Sequence, residues 1–241
     1  MPIGVISNVL AVALGGIAGA ALKQHIGNEL KEKLNMVFGL CSMAMGISSI
    51  ALMENMPAVV FSLILGTIIG IIIHLETLFK RGAGQMQRII APLSRGATRN
   101  DEEFTSTLIT VIVLFCASGT GIYGSMVSGM SGDHSILIAK SILDVFTAMI
   151  FACSLGAVVS VIAIPQAVIF LALFFLARTI YPLTTPAMIN DFKACGGFIM
   201  LATGFRIIRV QMFPTADMIP AMVLVMPLSA LWAGHILPLL G

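Results

Sequence analysis

Runs of about 20 apolar residues follow one another along most of this chain of 241 residues, and nothing else in it restricts the fold as tightly. The first, Ile3–Leu22, contains no charged side chain. A continuous run of that length suits a helix crossing about 30 Å of hydrocarbon, whereas a barrel strand alternates over about 10 residues. Charged residues make up 10% of the chain, against about 25% in soluble domains. A polar surface cannot be built from so few, so the expected fold is an all-α polytopic membrane protein.

Eight spans are expected: Ile3–Leu22, Asn35–Met53, Pro57–Leu75, Thr105–Ser128, Ser135–Gly156, Ile162–Ile180, Asp191–Ile208 and Met218–Leu237. As one helix at 1.5 Å per residue, Ser135–Ile180 would be about 69 Å long, twice the hydrocarbon thickness. The chain must therefore turn near Gly156–Pro165.

Numbering the connections alternately puts Lys23, Lys31, Lys33, Lys80, Arg81, Arg88, Arg95, Arg99, Arg206 and Arg209 on one side, and only Arg178 and Lys193 on the other. Positive charge marks the cytoplasmic side. Both termini are thus expected outside the cytoplasm, with the basic loop 76–104 inside. In that loop Phe79, Met86, Ile90 and Leu93 fall near one helical face and Arg81, Arg88 and Arg95 off it. An amphipathic helix on the anionic leaflet and a solvated loop both fit that pattern.

The two ends of the chain look related. A shift of 158 positions lays Asn8 on Gln166, Gly39 on Gly197 and Gly46 on Gly204. Met56-Pro-Ala58 resembles Ile219-Pro-Ala221 after a five-residue insertion. The expected organisation is one membrane domain with a repeat unit over 1–75, the loop 76–104, a central two-span hairpin over 105–161 and a second repeat unit over 162–241. The two three-span units run in opposite senses, as inverted repeats in secondary transporters do. Gly15/Gly19 and Gly66/Gly70 are small-residue steps that allow close helix approach, within the chain or in a homodimer.

The candidate chemistry lies in the central hairpin. Ser118-Gly-Thr-Gly121 interrupts one apolar span, and Lys140 and Asp144 sit inside the next. Charged groups at membrane depth are functional candidates by default. Counted from Asp133, Asp144 falls about 16 Å into the membrane, near its midplane. Lys140 can either pair with Asp144 one turn away or extend toward the outer interface. Carbonyls of the break at Ser118, Gly119, Thr120 and Gly121, hydroxyls of Ser118, Thr120, Ser141 and Thr147, and the Asp144 carboxylate are hard oxygen donors. They suit Na⁺ or a proton rather than a soft metal. Helix packing by the small residues and a structural Lys–Asp pair are the competing explanation.

Phe115–Met126, Gly132–Gly156, Pro182–Phe192 and Leu201–Ile207 resemble the bacterial inner-membrane family catalogued as domain of unknown function 554. The resemblance runs the length of the chain and implies a sodium channel or pump, without an established substrate or proven site residues. Relatives can carry a glutamate after the glycine that ends the third span. Here Gly70 is followed by Ile71, so a shared ion site would lean on Asp144.

The functional expectation is transport of a small ion or an ion-coupled solute; a scaffold or sensor acting through loop 76–104 is the alternative. Apart from ion coupling no cofactor is expected. The net charge of +2 gives no ground for a nucleic-acid partner. Cys41, Cys116, Cys153 and Cys195 show no ligand spacing, and neither HExxH nor a GK[ST] loop occurs. No enzyme is expected.

Overall fold

The computed structural model describes residues 1–22, 27–90 and 102–240. Among them the only regular structure is helical: α1 (Ile3–Leu22), α2 (Asn28–Ile50), α3 (Met56–Ile72), α4 (Leu75–Ile90), α5 (Glu102–Cys116), α6 (Gly119–Ser131), α7 (Ser135–Leu155), α8 (Val158–Val161), α9 (Ala163–Ile180), α10 (Pro186–Ile207), α11 (Pro220–Leu231) and α12 (Leu237–Leu240). The all-α polytopic architecture is as expected.

Six stretches are long and apolar enough to cross a membrane: Ile3–Leu22, Glu32–Ile50, Thr107–Ser131, Ser135–Leu155, Val158–Leu183 and Pro220–Leu239. A seventh is added if α3 and α4 count together as one broken span. Two of the eight expected spans fall short of this measure. α3 has only 17 residues, and α10 carries Asp191 and Lys193 along its length.

The helix ends follow local chemistry. Gly156 stops α7 at φ 76° while its N–H still bonds the Ala152 carbonyl at 2.8 Å. That left-handed conformation suits glycine, and it makes the turn expected at Gly156–Pro165. α5 ends at Cys116, and Ser118, extended at φ −71° and ψ 136°, starts α6 by accepting the Gly121 N–H at its hydroxyl oxygen. The break expected at 118–121 is therefore a helix–cap–helix junction. Thr185 and Pro186 start α10 in the same way, the Thr185 hydroxyl accepting the Met188 N–H at 3.3 Å.

The chain divides into two compact units, Met1–Leu34 with Thr77–Thr179, and Asn35–Glu76 with Ile180–Gly241. They cut across the sequence repeats. The first unit takes α1 and α9, and the second takes α2, α3, α10 and α11.

In the first unit α1 and α7 run parallel in close contact. Gly4 meets Leu137, Gly15 meets Val145 and Ala148, and Gly19 meets Met149 and Ala152. A Cβ at Gly15 or Gly19 would press into the carbonyl oxygen of Val145 or Met149. α6 and α9 also run parallel, with Gly121 against Phe170 and Gly129 against Phe174. Leu108, Val111, Ile112 and Phe115 of α5 form a core with Ala148, Ala152 and Leu155 of α7.

Ala83 and Ile90 of α4 are buried in that same core, with Met86 packed against it, while Arg81 and Arg88 are exposed. Of the two forms that fitted the basic segment, the helix is the one found as far as Ile90, and part of its apolar face is covered by protein. Leu93, Arg95, Arg99 and Asp101, like Lys23, lie outside the described residues.

In the second unit α2 is antiparallel to α10, and α3 to α11. Gly39 faces Gly204 and Gly46 faces Gly197, and a Cβ on Gly46 or on Gly197 would lie 2.7 Å from the other's carbonyl oxygen. The pairing is reciprocal under the 158-residue shift. Gly46 meets Leu201 as Gly204 meets Met43, and Gly39 meets Ile208 as Gly197 meets Ile50. On α3, Gly66 meets Ala221 and Gly70 meets the Asp217 backbone. Both small-residue steps noted in the sequence, Gly15/Gly19 and Gly66/Gly70, are therefore filled by helices of the same chain.

Outward faces stay apolar. Leu10, Leu14 and Ile17 on α1, Phe61, Ile64 and Ile68 on α3, and Ile142 and Phe146 on α7 are all exposed. Such faces suit lipid and not water.

Candidate functional site

The first unit holds a buried ion pair. On α7 the residues Leu137, Lys140, Ser141, Asp144 and Ala148 share the inward face, as helical spacings of three and four require. Lys140 Nζ bonds Asp144 Oδ2 across one helical turn, with Lys140 5% and Asp144 6% exposed. The alternative in which Lys140 extends to the interface is corrected. A carboxylate one turn away repays more than the walk to solvent, because an unmatched buried charge costs about 3–5 kcal/mol. The Phe115 ring, in the last turn of α5, lies 5.9 Å from Lys140 Nζ and presents a π face to the cation. The end of α5 is therefore level with Lys140, which places the helix break beside the pair.

Two amides extend the pair across the unit. Asn8 on α1 donates from Nδ2 to Asp144 Oδ2 at 2.8 Å. Gln166 on α9 donates from Nε2 to Asn8 Oδ1 at 2.9 Å. Both amides are fully buried, at 0% exposure. α1 can come close enough because it approaches α7 on glycines. The result is one line of polar groups, Lys140–Asp144–Asn8–Gln166, supplied by three helices in otherwise apolar surroundings. Among the described residues Gln166 Oε1 and Ser160 Oγ are the buried side-chain polar atoms without a hydrogen-bond partner.

The other residues nominated from sequence have different partners. Ser141 Oγ donates to the Leu137 carbonyl at 2.6 Å and Thr147 Oγ1 to the Leu143 carbonyl at 2.8 Å. Both hydroxyls thus bond back into their own helix, a common arrangement for Ser and Thr. Ser118 caps α6. Gly119, Thr120 and Gly121 are buried in its first turn, where a Cβ at Gly121 would run into the Phe170 ring. Lys140 and Asp144 are brought together. Asn8 and Gln166 were missed as site residues, although their match under the repeat shift singled them out.

A second buried carboxylate lies in the second unit. Asp191, 0% exposed, accepts the backbone N–H groups of Glu54 and Asn55 at 2.9 and 2.8 Å through Oδ1. Its Oδ2 accepts Asn55 Nδ2 at 2.8 Å and Ser229 Oγ at 2.6 Å. Asp191, in the second turn of α10, thus caps the start of α3 by holding the N–H groups of the two residues that precede it. Asp217, just before α11, accepts the Glu76 N–H at 2.9 Å, at the start of α4. With four hydrogen bonds received on its two oxygens, Asp191 has the arrangement of a structural clamp. No group of three or more His, Cys, Asp or Glu suited to a metal occurs among the described residues.

The family model described as "Protein of unknown function (DUF554)" matches residues 3–230. An Escherichia coli (strain K12) relative, "Uncharacterized protein YqgA", is 48% identical over 234 residues, covering 97% of this chain and 99% of the relative. A Bacillus subtilis (strain 168) relative, "Uncharacterized membrane protein YdfK", is 25% identical over 228 residues, covering 92% and 93%. No solved structure matches.

Proposed function

This chain belongs to the DUF554 family of multi-pass membrane proteins, and we propose that it is a transporter or channel for a small cation, Na⁺ or H⁺, or for a small solute coupled to one. The observation that carries this reading is the Lys140–Asp144 pair, closed in among Asn8, Gln166 and Phe115 on predominantly apolar helices. Groups of this kind inside a membrane are costly, and ion pathways are where they are found. Lys140 acts as a tethered cation on Asp144. A mobile cation takes its place when the ammonium withdraws or gives up its proton. Na⁺ uptake with loss of one Lys140 proton leaves the site's charge unchanged, so the two ions exchange without exposing net charge to hydrocarbon.

The architecture supports the same reading. The reciprocal glycine contacts of α2 and α10 favour treating α1–α3 and α9–α11 as inverted copies, an arrangement that recurs in secondary transporters with midplane sites. The parallel pairs α1/α7 and α6/α9 and the antiparallel pairs α2/α10 and α3/α11 agree with strict alternation across eight passes. That topology and the Lys and Arg bias support reading both termini as outside the cytoplasm, in the inner membrane of a bacterium.

The test is purified protein in proteoliposomes under an imposed Na⁺ or pH gradient, wild type beside Asp144→Asn. Wild type should pass the ion and the variant should not. A wild type that dissipates neither gradient would refute the proposal.

A further inference from the structure

The amide line has a single permitted polarity while Asp144 is a bare carboxylate. A carboxylate only accepts, so Asn8 must turn Nδ2 toward it, and Asn8 Oδ1 is then left to take the Gln166 N–H. The far end is left unmatched, and Gln166 Oε1 stays buried without a donor. Turning both amides over reverses every link. Asn8 Oδ1 then faces Asp144, Asn8 Nδ2 faces Gln166, and Gln166 Oε1 gains a donor while Gln166 Nε2 gives up its acceptor. The reversed line sets two oxygens, of Asn8 and Asp144, against each other. That is tolerable only with a positive centre between them.

We infer that Asn8 is a direct oxygen ligand of the cation taken up by Asp144, and that Gln166 is the positioning residue that sets which end of Asn8 faces the site. This rests on the transport proposal above. In the lysine-paired state Asn8 presents its N–H, and a cation is repelled. In the loaded state Asn8 Oδ1 and Asp144 share Na⁺, or Asn8 Oδ1 accepts the proton of a neutral Asp144 carboxyl. Gln166 turns over with Asn8, its unmatched group changing from Oε1 to Nε2, so it holds the far end of Asn8 in both states. The donors are a carboxylate and an amide oxygen, which suit a hard monovalent cation.

The experiment is ion flux into proteoliposomes as a function of external Na⁺ (or of pH where protons carry the flux), with choline as the inert cation. Wild type, Asn8→Leu and Gln166→Leu are compared. Gln166→Leu removes one unmatched oxygen and leaves another, on Asn8, so it should fold as wild type does and keeps the test valid if Asn8→Leu does not fold. The half-saturating concentration should rise roughly tenfold in Asn8→Leu, the effect of losing one charge-assisted contact. It should change by a smaller factor in Gln166→Leu, where the far end of Asn8 has lost its partner. A purely structural role for Gln166 would leave the half-saturating concentration alone. Flux in wild type with the same half-saturation in Gln166→Leu overturns the inference and leaves the transport proposal standing. Absence of flux in wild type overturns both.

Discussion

Removing one member of the Lys140–Asp144 pair should cost far more than removing both. Lys140→Met leaves the Asp144 carboxylate, 6% exposed, with the Asn8 N–H as its remaining bonded neighbour. Asp144→Leu leaves the Lys140 ammonium, 5% exposed, against the Phe115 ring, and also strands the Asn8 N–H. Each single change should lower stability by about 3–5 kcal/mol. Asp144→Leu should be the worse, because two donors lose their acceptor at once. The double variant Lys140→Met/Asp144→Leu buries no charge and keeps similar volume, leaving one Asn8 donor unmatched at about 1–3 kcal/mol. The cycle should therefore show a coupling of about 3 kcal/mol or more, at the upper end for residues in direct contact. Reversible unfolding in mixed micelles, followed by circular dichroism, measures all four proteins. Single variants that each cost under about 1 kcal/mol, or a double variant as unstable as the two singles added, would refute the buried-pair account.

Other outcomes follow from packing and capping. Gly15→Ala and Gly19→Ala should each cost about 1–3 kcal/mol, because the new methyl meets a carbonyl oxygen of α7 and not a flexible side chain; melting in detergent checks this. Gly46→Ala and Gly197→Ala should cost equal amounts, since each meets the other's carbonyl at 2.7 Å; a clear inequality would count against a local two-fold between α2 and α10. Asp191→Ala should cost about 3 kcal/mol or more, as it leaves two backbone donors and an amide donor buried without an acceptor. Arg81→Gln with Arg88→Gln should change stability by less than about 0.5 kcal/mol and leave flux intact. Loss of the cellular phenotype with flux retained would favour the scaffold alternative.

Much of this could be read from the chain because the causes were local. The apolar runs announce the helices, Gly156 marks the turn, Ser118 and its glycines mark the break, and a lysine four residues before an aspartate on one helix face is a pair in waiting. Asn8 and Gln166 were not legible as site residues. Their partners are 136 and 158 residues away, and a lone amide in an apolar span has no local pattern. Their coincidence under the repeat shift was the available signal. Ser141 and Thr147 each give the hydroxyl proton to the carbonyl one turn back, a local habit of helical Ser and Thr, so what either could offer a cation is its oxygen lone pairs. Asp191 was under-read because it acts away from its own helix. It sits near the start of its own helix yet caps α3, through partners on two other segments.

The account assigns two buried carboxylates opposite roles, with ion chemistry at Asp144 and a structural clamp at Asp191. Ion flux per folded molecule in proteoliposomes, measured side by side for Asp144→Asn and Asp191→Asn, tests that assignment most directly. Per folded molecule, Asp144→Asn should carry no flux, whereas Asp191→Asn should carry ions at the wild-type rate. Wild-type flux in Asp144→Asn, or loss of flux confined to well-folded Asp191→Asn, would contradict it.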